Sequence, residues 1–303
     1  MRMAGLIALG VAWRYLQPGG LSGETVRHAT STLVYYLLLP ALVVETLWSS
    51  TLGLDSVRIA ATAVAVVATG WWLGRLAAGA LALSAPRTGA LILAAAFPNA
   101  TYLGLPALDA ALGPVGRGIA VQFDYFACTP ILLTLGVLMA QRHGHRDDGC
   151  GQPAWARLAR VPPFWAAVVG VALNTLGVAL PDTLAGLLAT LASAVVPLML
   201  LGLGMSLSWQ SLDRRAALAI APVLVIQLLA LPVLAWALGL GLGLSGHPLT
   251  GTVLEAAMPS MVLGVVLCDR YGLDTRLYSI AVTASTILAL TTLPVWHGLL
   301  TGT

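Results

Sequence analysis

The chain has 303 residues, of which 58% are hydrophobic and 9% charged, with a mean hydropathy of +0.90. Soluble domains carry about 25% charged residues, so this composition excludes a soluble globular enzyme and points to an all-α polytopic membrane protein. The net charge of +3 comes from arginine alone, with no lysine, and no polar face able to track nucleic acid is present. Cys128, Cys150 and Cys268 have no metal spacing, and their odd number argues for free thiols.

Windows of about 20 apolar residues, the length that crosses hydrocarbon, predict ten helices. The first, over 3–17, is short for a crossing. With no small-x-small cleavage pattern behind it, it reads as a true span rather than a leader. Helices over 29–50 and 56–82 follow, with Pro40 placed to kink the first and Glu45 about a turn and a half beyond it. The fourth, over 88–112, contains Phe97-Pro98-Asn99-Ala100-Thr101-Tyr102-Leu103-Gly104-Leu105-Pro106. Pro98 and Pro106 each lack a backbone N–H and crowd the carbonyl four residues back, so the ladder is expected to open twice. Non-helical backbone survives at membrane depth only where protein buries it or where it lines a wet cavity. Asn99, Thr101 and Tyr102 supply polar atoms there, which makes this the candidate ligand site.

The fifth helix, over 117–141, carries Asp124 with Gln122 and Thr129 nearby. A polar stretch over 141–160 then separates five spans from five, and its His143, His145, Asp148 and Cys150 show no recognised ligand spacing. The second five are expected over 162–180, 184–208, 216–243, 248–270 and 276–300. Pro197 is placed to kink the seventh, and Gly239, Gly241 and Gly243 suit close helix packing. Glu255, Pro259 and Ser260 fall in the ninth.

Sorted by membrane side, Arg2, Arg58 and Arg117 face the side of the termini, and the other twelve arginines face the opposite side. The positive-inside rule therefore predicts extracytoplasmic termini and a cytoplasmic loop over 142–161. Motifs recur in order: Gly10-Val11-Ala12 as Gly170-Val171-Ala172, Pro40 as Pro197, Pro98 as Pro259, and Ile119-Ala120-Val121 as Ile280-Ala281-Val282. Five spans per half require the second half to be inverted. Inverted repeats with interrupted helices in matching places are the sequence pointer to a secondary transporter with a midplane site.

The run from Asn99 to Pro106 resembles the Asn-x-x-Phe-x-Gly-x-Pro element of the auxin efflux carrier family of permeases. Ala256-Ala257-Met258-Pro259-Ser260, Asp269-Arg270-Tyr271-Gly272-Leu273-Asp274, Ser285-Thr286 and Thr292-Leu293-Pro294 resemble its C-terminal signature. Tyr102 stands where Phe is common, and Ala100 and Thr101 where Thr and Gly often stand. The resemblance implies two inverted five-helix repeats, 1–141 and 162–303, joined by the loop 142–161. Helices 4 and 9 would be broken and cross at Pro98 and Pro259. Helices 1, 2, 6 and 7 would form a scaffold, with 3–5 and 8–10 as a transport domain moving against it. It further implies an inner-membrane permease for a small organic anion such as a carboxylate, with a homodimer through the scaffold.

Asn99 is the leading candidate, since its amide both donates and accepts and the half-helix beyond it aims free N–H groups at an anion. The bland reading is a cap on its own helix. Ser260 holds the equivalent place in helix 9, and Pro98, Thr101, Tyr102, Gly104 and Pro259 complete the expected substrate site. No cofactor is expected beyond a coupling ion, H+ or Na+. Acids inside spans usually face a cavity or a partner, so Asp124, Glu45, Glu255 and the neighbouring Gln122 are the candidate coupling groups. On this topology Glu45, Asp109, Asp124 and Glu255 all lie in the outer half, where pairing with Arg117 or Arg58 is the plain alternative. A channel or sensor is one competing function. An intramembrane serine protease is another, from Gly20-Leu21-Ser22-Gly23 and Gly243-Leu244-Ser245-Gly246 with His28, His247 or His297 as base.

Overall fold

The computed structural model describes residues 2–50, 52–144, 156, 159–207 and 214–302. Most of the polar loop, including His145, Asp148 and Cys150, lies outside them. Among the described residues the chain is helical, and its one β-bridge joins Pro98 to Ser260.

Helix α1 spans Arg2–Leu16. Helix α2 spans Gly23–Ser49 and starts earlier than its hydropathy suggests, because Ser22 caps it by accepting from the Thr25 N–H at 3.2 Å. Then come α3 (Leu54–Ala80), α4 (Ala85–Ala96) and α5 (Ala100–His143), the last turning sharply at Gly113, where φ is 64°. Glycine adopts that conformation without steric cost. The second half comprises α6 (Pro162–Thr175), α7 (Asp182–Ser206), α8 (Ala216–Gly241), α9 (Gly246–Ala256), α10 (Gly264–Tyr271) and α11 (Thr275–Thr301). Six of these, α2, α3, α5, α7, α8 and α11, are long and apolar enough to cross a membrane. Helix α7 breaks at Ala194, just ahead of Pro197.

The expected second rupture at Pro106 does not occur. The N–H of Leu105 donates to Ala100 O and that of Gly104 to Asn99 O at 2.9 Å, so Ala100–Gly104 is a π turn running directly into helix. The wide turn moves the carbonyls away from the proline ring, so the chain stays helical through Pro106. The same device precedes Pro40, Pro130 and Pro232. In each, the residue before the proline donates to a carbonyl five positions back: Leu39 to Val34, Thr129 to Asp124 and Leu231 to Ile226.

The helices pack as two groups. Helix α1 lies against the second half of α7 so closely that a methyl at Gly10 would meet Leu201 O, and one at Gly204 would meet Ile7 O. Helix α6 lies against the second half of α2, where Asn174 Nδ2 donates to Trp48 O (2.8 Å) and Ser50 O (2.6 Å). In the other group α4 packs on α3, α9 on α5 and α8, and α11 on α8 and α4. With no hydrophobic drive between helices in lipid, small residues at these contacts permit the close approach that holds them.

Candidate functional site

Two helix breaks meet at the centre of the molecule. Pro98 and Ser260 pair as an antiparallel bridge, the Asn99 N–H donates to Pro259 O at 2.7 Å, and the Met261 N–H donates to Phe97 O at 3.0 Å. Each break therefore satisfies part of the other's backbone, as hydrocarbon requires. One further group is left over. Pro98 has no N–H for Ala94 O, and that carbonyl accepts instead from Ser260 Oγ (2.7 Å) and Gln227 Nε2 (3.0 Å). The Ser260 N–H in turn donates to Ser285 Oγ at 3.2 Å. Ser260 thus has a structural task in addition to its expected one. Gln227, on α8, was invisible in the sequence, because a lone glutamine in an apolar run shows nothing of what it faces.

The rest of the C-terminal signature is structural where its contacts are seen. Gly272 takes φ 71° to end α10, Asp274 caps α11 through the Leu277 N–H, and Asp274 lies 3.5 Å from Arg87.

Asn99 is 2% exposed, its side chain does not cap a helix, and its Nδ2 has no partner among the described residues. Asp124 is 3% exposed and accepts from Thr101 Oγ1 and from Thr129 Oγ1 (2.9 Å). These residues line a small cavity of about 80 Å³ with Tyr35, Tyr102, Tyr125 and Leu263. Tyr35, Tyr102 and Leu263 also line a far larger cavity of about 790 Å³, which opens at the end of the molecule carrying Arg14 and Arg27.

At the opposite end a separate cavity of about 290 Å³ is lined by Glu45, Arg117 and Gln122. Arg117 donates to Asp109 at 3.0 Å and to Glu45 at 3.4 Å, and Arg58 pairs with Asp55 at 2.9 Å. The four acids divide between two surroundings. Glu45 and Asp109 are paired with Arg117. Asp124 faces the cavity system of the other end, and Gln122, two residues before it, faces away from it.

Glu255 is also not peripheral. It is fully buried, neither carboxylate oxygen has a hydrogen-bond partner among the described residues, and it sits directly over Gly104, where an added methyl would run into both oxygens. Asp124 approaches the same turn, since its partner Thr101 and Glu255's neighbour Gly104 both belong to Ala100–Gly104. No arginine or histidine pairs with either acid among the described residues. Burying an acid without a partner is costly, which makes Glu255 a candidate functional group.

Pro98, Asn99, Thr101, Tyr102, Gly104, Asp124, Glu255, Pro259 and Ser260 thus gather around the bridged breaks, while Glu45 and Gln122 line the cavity at the far end. For the protease alternative, Ser22 Oγ is tied to Thr25 Oγ1 at 2.9 Å rather than to a histidine.

A multi-pass helical membrane protein built around two bridged helix breaks is the architecture of a transporter core. The family model described as Membrane transport protein (Mem_trans) matches residues 6–297, and the chain belongs to that auxin efflux carrier-type family of transporters. It is a transporter and not an enzyme. It is 32% identical over 295 residues to an uncharacterized transporter of Methanothermobacter thermautotrophicus, covering 96% of this chain and 94% of that one. It is 24% identical over 311 residues to the probable auxin efflux carrier component 5a of Oryza sativa, covering 86% and 85%. The Escherichia coli transporter YfdV is 23% identical over 207 residues, covering 67% and 65%.

Proposed function

We propose that the chain is a secondary active transporter of a small organic anion, a carboxylate, working by alternating access with the bridged crossing as its substrate site. The observation that carries this is the pair of backbone breaks meeting beside a polar cavity that communicates with one end of the molecule. Asn99, Thr101 and Tyr102 supply the side-chain contacts, and Pro98, Gly104, Pro259 and Ser260 shape the backbone around them. The rice relative's name, auxin efflux carrier, is in keeping with an organic acid as cargo.

The bridge also supports inverted halves. It pairs 98 with 260 and 99 with 259, and exchanging 98 for 259 and 99 for 260 turns one pair into the other. On this reading α4 with the start of α5, and α9 with α10, are each one interrupted pass. With the reversal at Gly113 the chain makes ten passes, five in 1–141 and five in 162–303. Helices α1, α2, α6 and α7 are the scaffold against which the other group moves. The apolar window of α7 is only 22% buried, in keeping with a lipid-facing or homodimeric scaffold surface.

The arginine bias puts the Arg14 end, with the loop 142–161, in the cytoplasm and both termini outside the inner membrane. The large cavity then faces inward while Glu45 and Arg117 close the outside. An anion approaching Asp124 and Glu255 is repelled unless H+ or Na+ neutralises them, so coupling follows from the charge arrangement.

Reconstituted into liposomes, the protein is expected to show saturable counterflow of labelled mono- or dicarboxylates, which a channel or sensor does not. Asn99→Ala should weaken binding and counterflow on the order of tenfold, as expected for losing one or two hydrogen bonds. Unchanged binding and transport in Asn99→Ala would place the site elsewhere.

A further inference from the structure

Around the bridged breaks lie two acids and, among the described residues, no base, so positive charge for a carboxylate has to come from another element. Arg14, Arg27 and His28 line the cavity of about 790 Å³ against one acid, Glu24. Arg14 is engaged, donating to Leu207 O at the end of α7. His28 is exposed. Arg27, half-buried in α2, has no ion pair or hydrogen bond among the described residues.

Arg27, Ser31 and Tyr35 follow one another at i, i+4 and i+8, which places them on one stripe of α2. All three line the large cavity, and Tyr35 lines the small one as well. Across the gap Tyr102 lines the same cavity as Arg27 and Ser31. The stripe therefore runs from the mouth to the broken helix. Tyr36, Val262 and Leu263 add aromatic and aliphatic wall beside it.

We propose that Arg27, with Ser31, Tyr35 and Tyr102, forms an anion-binding site on α2 that holds the carboxylate of an amphipathic organic acid as it passes between cavity and crossing. A guanidinium meets a carboxylate as a two-pronged, charge-assisted fork, and a lysine at the same place offers only a point charge. The tyrosine rings and Leu263 give the apolar body of such an acid a surface to lie on. This inference rests on the transporter reading for its cargo.

The test uses the full-length protein in detergent. Thermal stabilisation is titrated with indole-3-acetate, benzoate, malonate and malate, each beside its neutral amide. Wild type is expected to prefer at least one acid to its amide. Arg27→Gln should weaken that acid at least tenfold and leave the amide unchanged, and Arg27→Lys should recover part of the difference. The inference is overturned if no acid is preferred to its amide. It is also overturned if Arg27→Gln leaves acid affinity intact, or if it weakens acid and amide alike, as lost packing or a purely headgroup-facing arginine would. Should Arg27→Gln fail to fold, the acid-to-amide ratio in Arg27→Lys must itself fall, and an unchanged ratio overturns the proposal. Counterflow of the same acids in liposomes separates the two readings. Counterflow with unchanged acid affinity in Arg27→Gln sinks the α2 site alone, whereas absence of counterflow in wild type sinks the transporter reading.

Discussion

Glu45→Gln tests whether the Glu45 end, outer on the proposed orientation, is held shut by an ion pair between the two helix groups. Arg117 on α5 lies 3.4 Å from Glu45 on α2, with both side chains about a quarter exposed. It keeps Asp109 at 3.0 Å on its own helix, and that bond persists whichever way the groups move. On the alternating-access reading, only the Glu45 contact differs between states. At 3.4 Å the bare attraction is about 5 kcal/mol at an effective dielectric constant of about 20. Desolvation, side-chain entropy and screening leave about 1 kcal/mol net for a partly exposed pair. Removing it should move the inward-to-outward ratio about fivefold, since 1.4 kcal/mol is tenfold. The assay is the labelling rate of single cysteines by a polar maleimide in a background lacking Cys128, Cys150 and Cys268. Thr46→Cys reports the outer cavity and Ser279→Cys the inner one, both buried positions that line their cavities. Glu45→Gln should speed the first about fivefold and slow the second. Equal rates, or both reporters speeding together as in general loosening, would refute the latch.

Three further outcomes are expected. Asp124→Asn should keep substrate counterflow but abolish the response to an imposed proton or sodium gradient, and a mutant still driven by the gradient makes Asp124 structural. Gly104→Ala has helical backbone and would ordinarily gain about 1 kcal/mol of helix propensity. Here its methyl meets the Glu255 carboxylate, so thermal unfolding should show a net loss of about 1–3 kcal/mol that Glu255→Ala in the same chain largely relieves. Ser260→Ala and Gln227→Ala each leave Ala94 O one donor, at about 1 kcal/mol apiece. The double mutant orphans the carbonyl and should cost more than the sum, measured as a double-mutant cycle.

The break at Pro98 was legible because a missing N–H is a property of the residue itself, and its partner at Pro259 because the same property recurs in the repeat. Pro106 was misread for a related reason. Whether a proline opens a helix depends on which carbonyl faces its ring, and a one-residue shift to i→i−5 bonding over Ala100–Gly104 removes the conflict without leaving any mark in composition. Asp124 was found by its rarity in an apolar run. Its hydroxyl partners were only half visible, Thr129 by nearness in sequence and Thr101 not at all, since the two lie 23 positions apart.

By itself the sequence determined that the chain is a multi-pass helical membrane protein and that its helices break at Pro98 and Pro259, because hydropathy and proline chemistry act locally. Only the tertiary structure decided what those pieces do to one another. It set Glu255 over Gly104 at the buried centre, gave Glu45 to Arg117 at the edge, and turned Ser260 and Gln227 toward the carbonyl that Pro98 leaves open. The depth and partner of a polar side chain depend on the rotation and register of each helix against its neighbours, which packing across distant segments alone fixes.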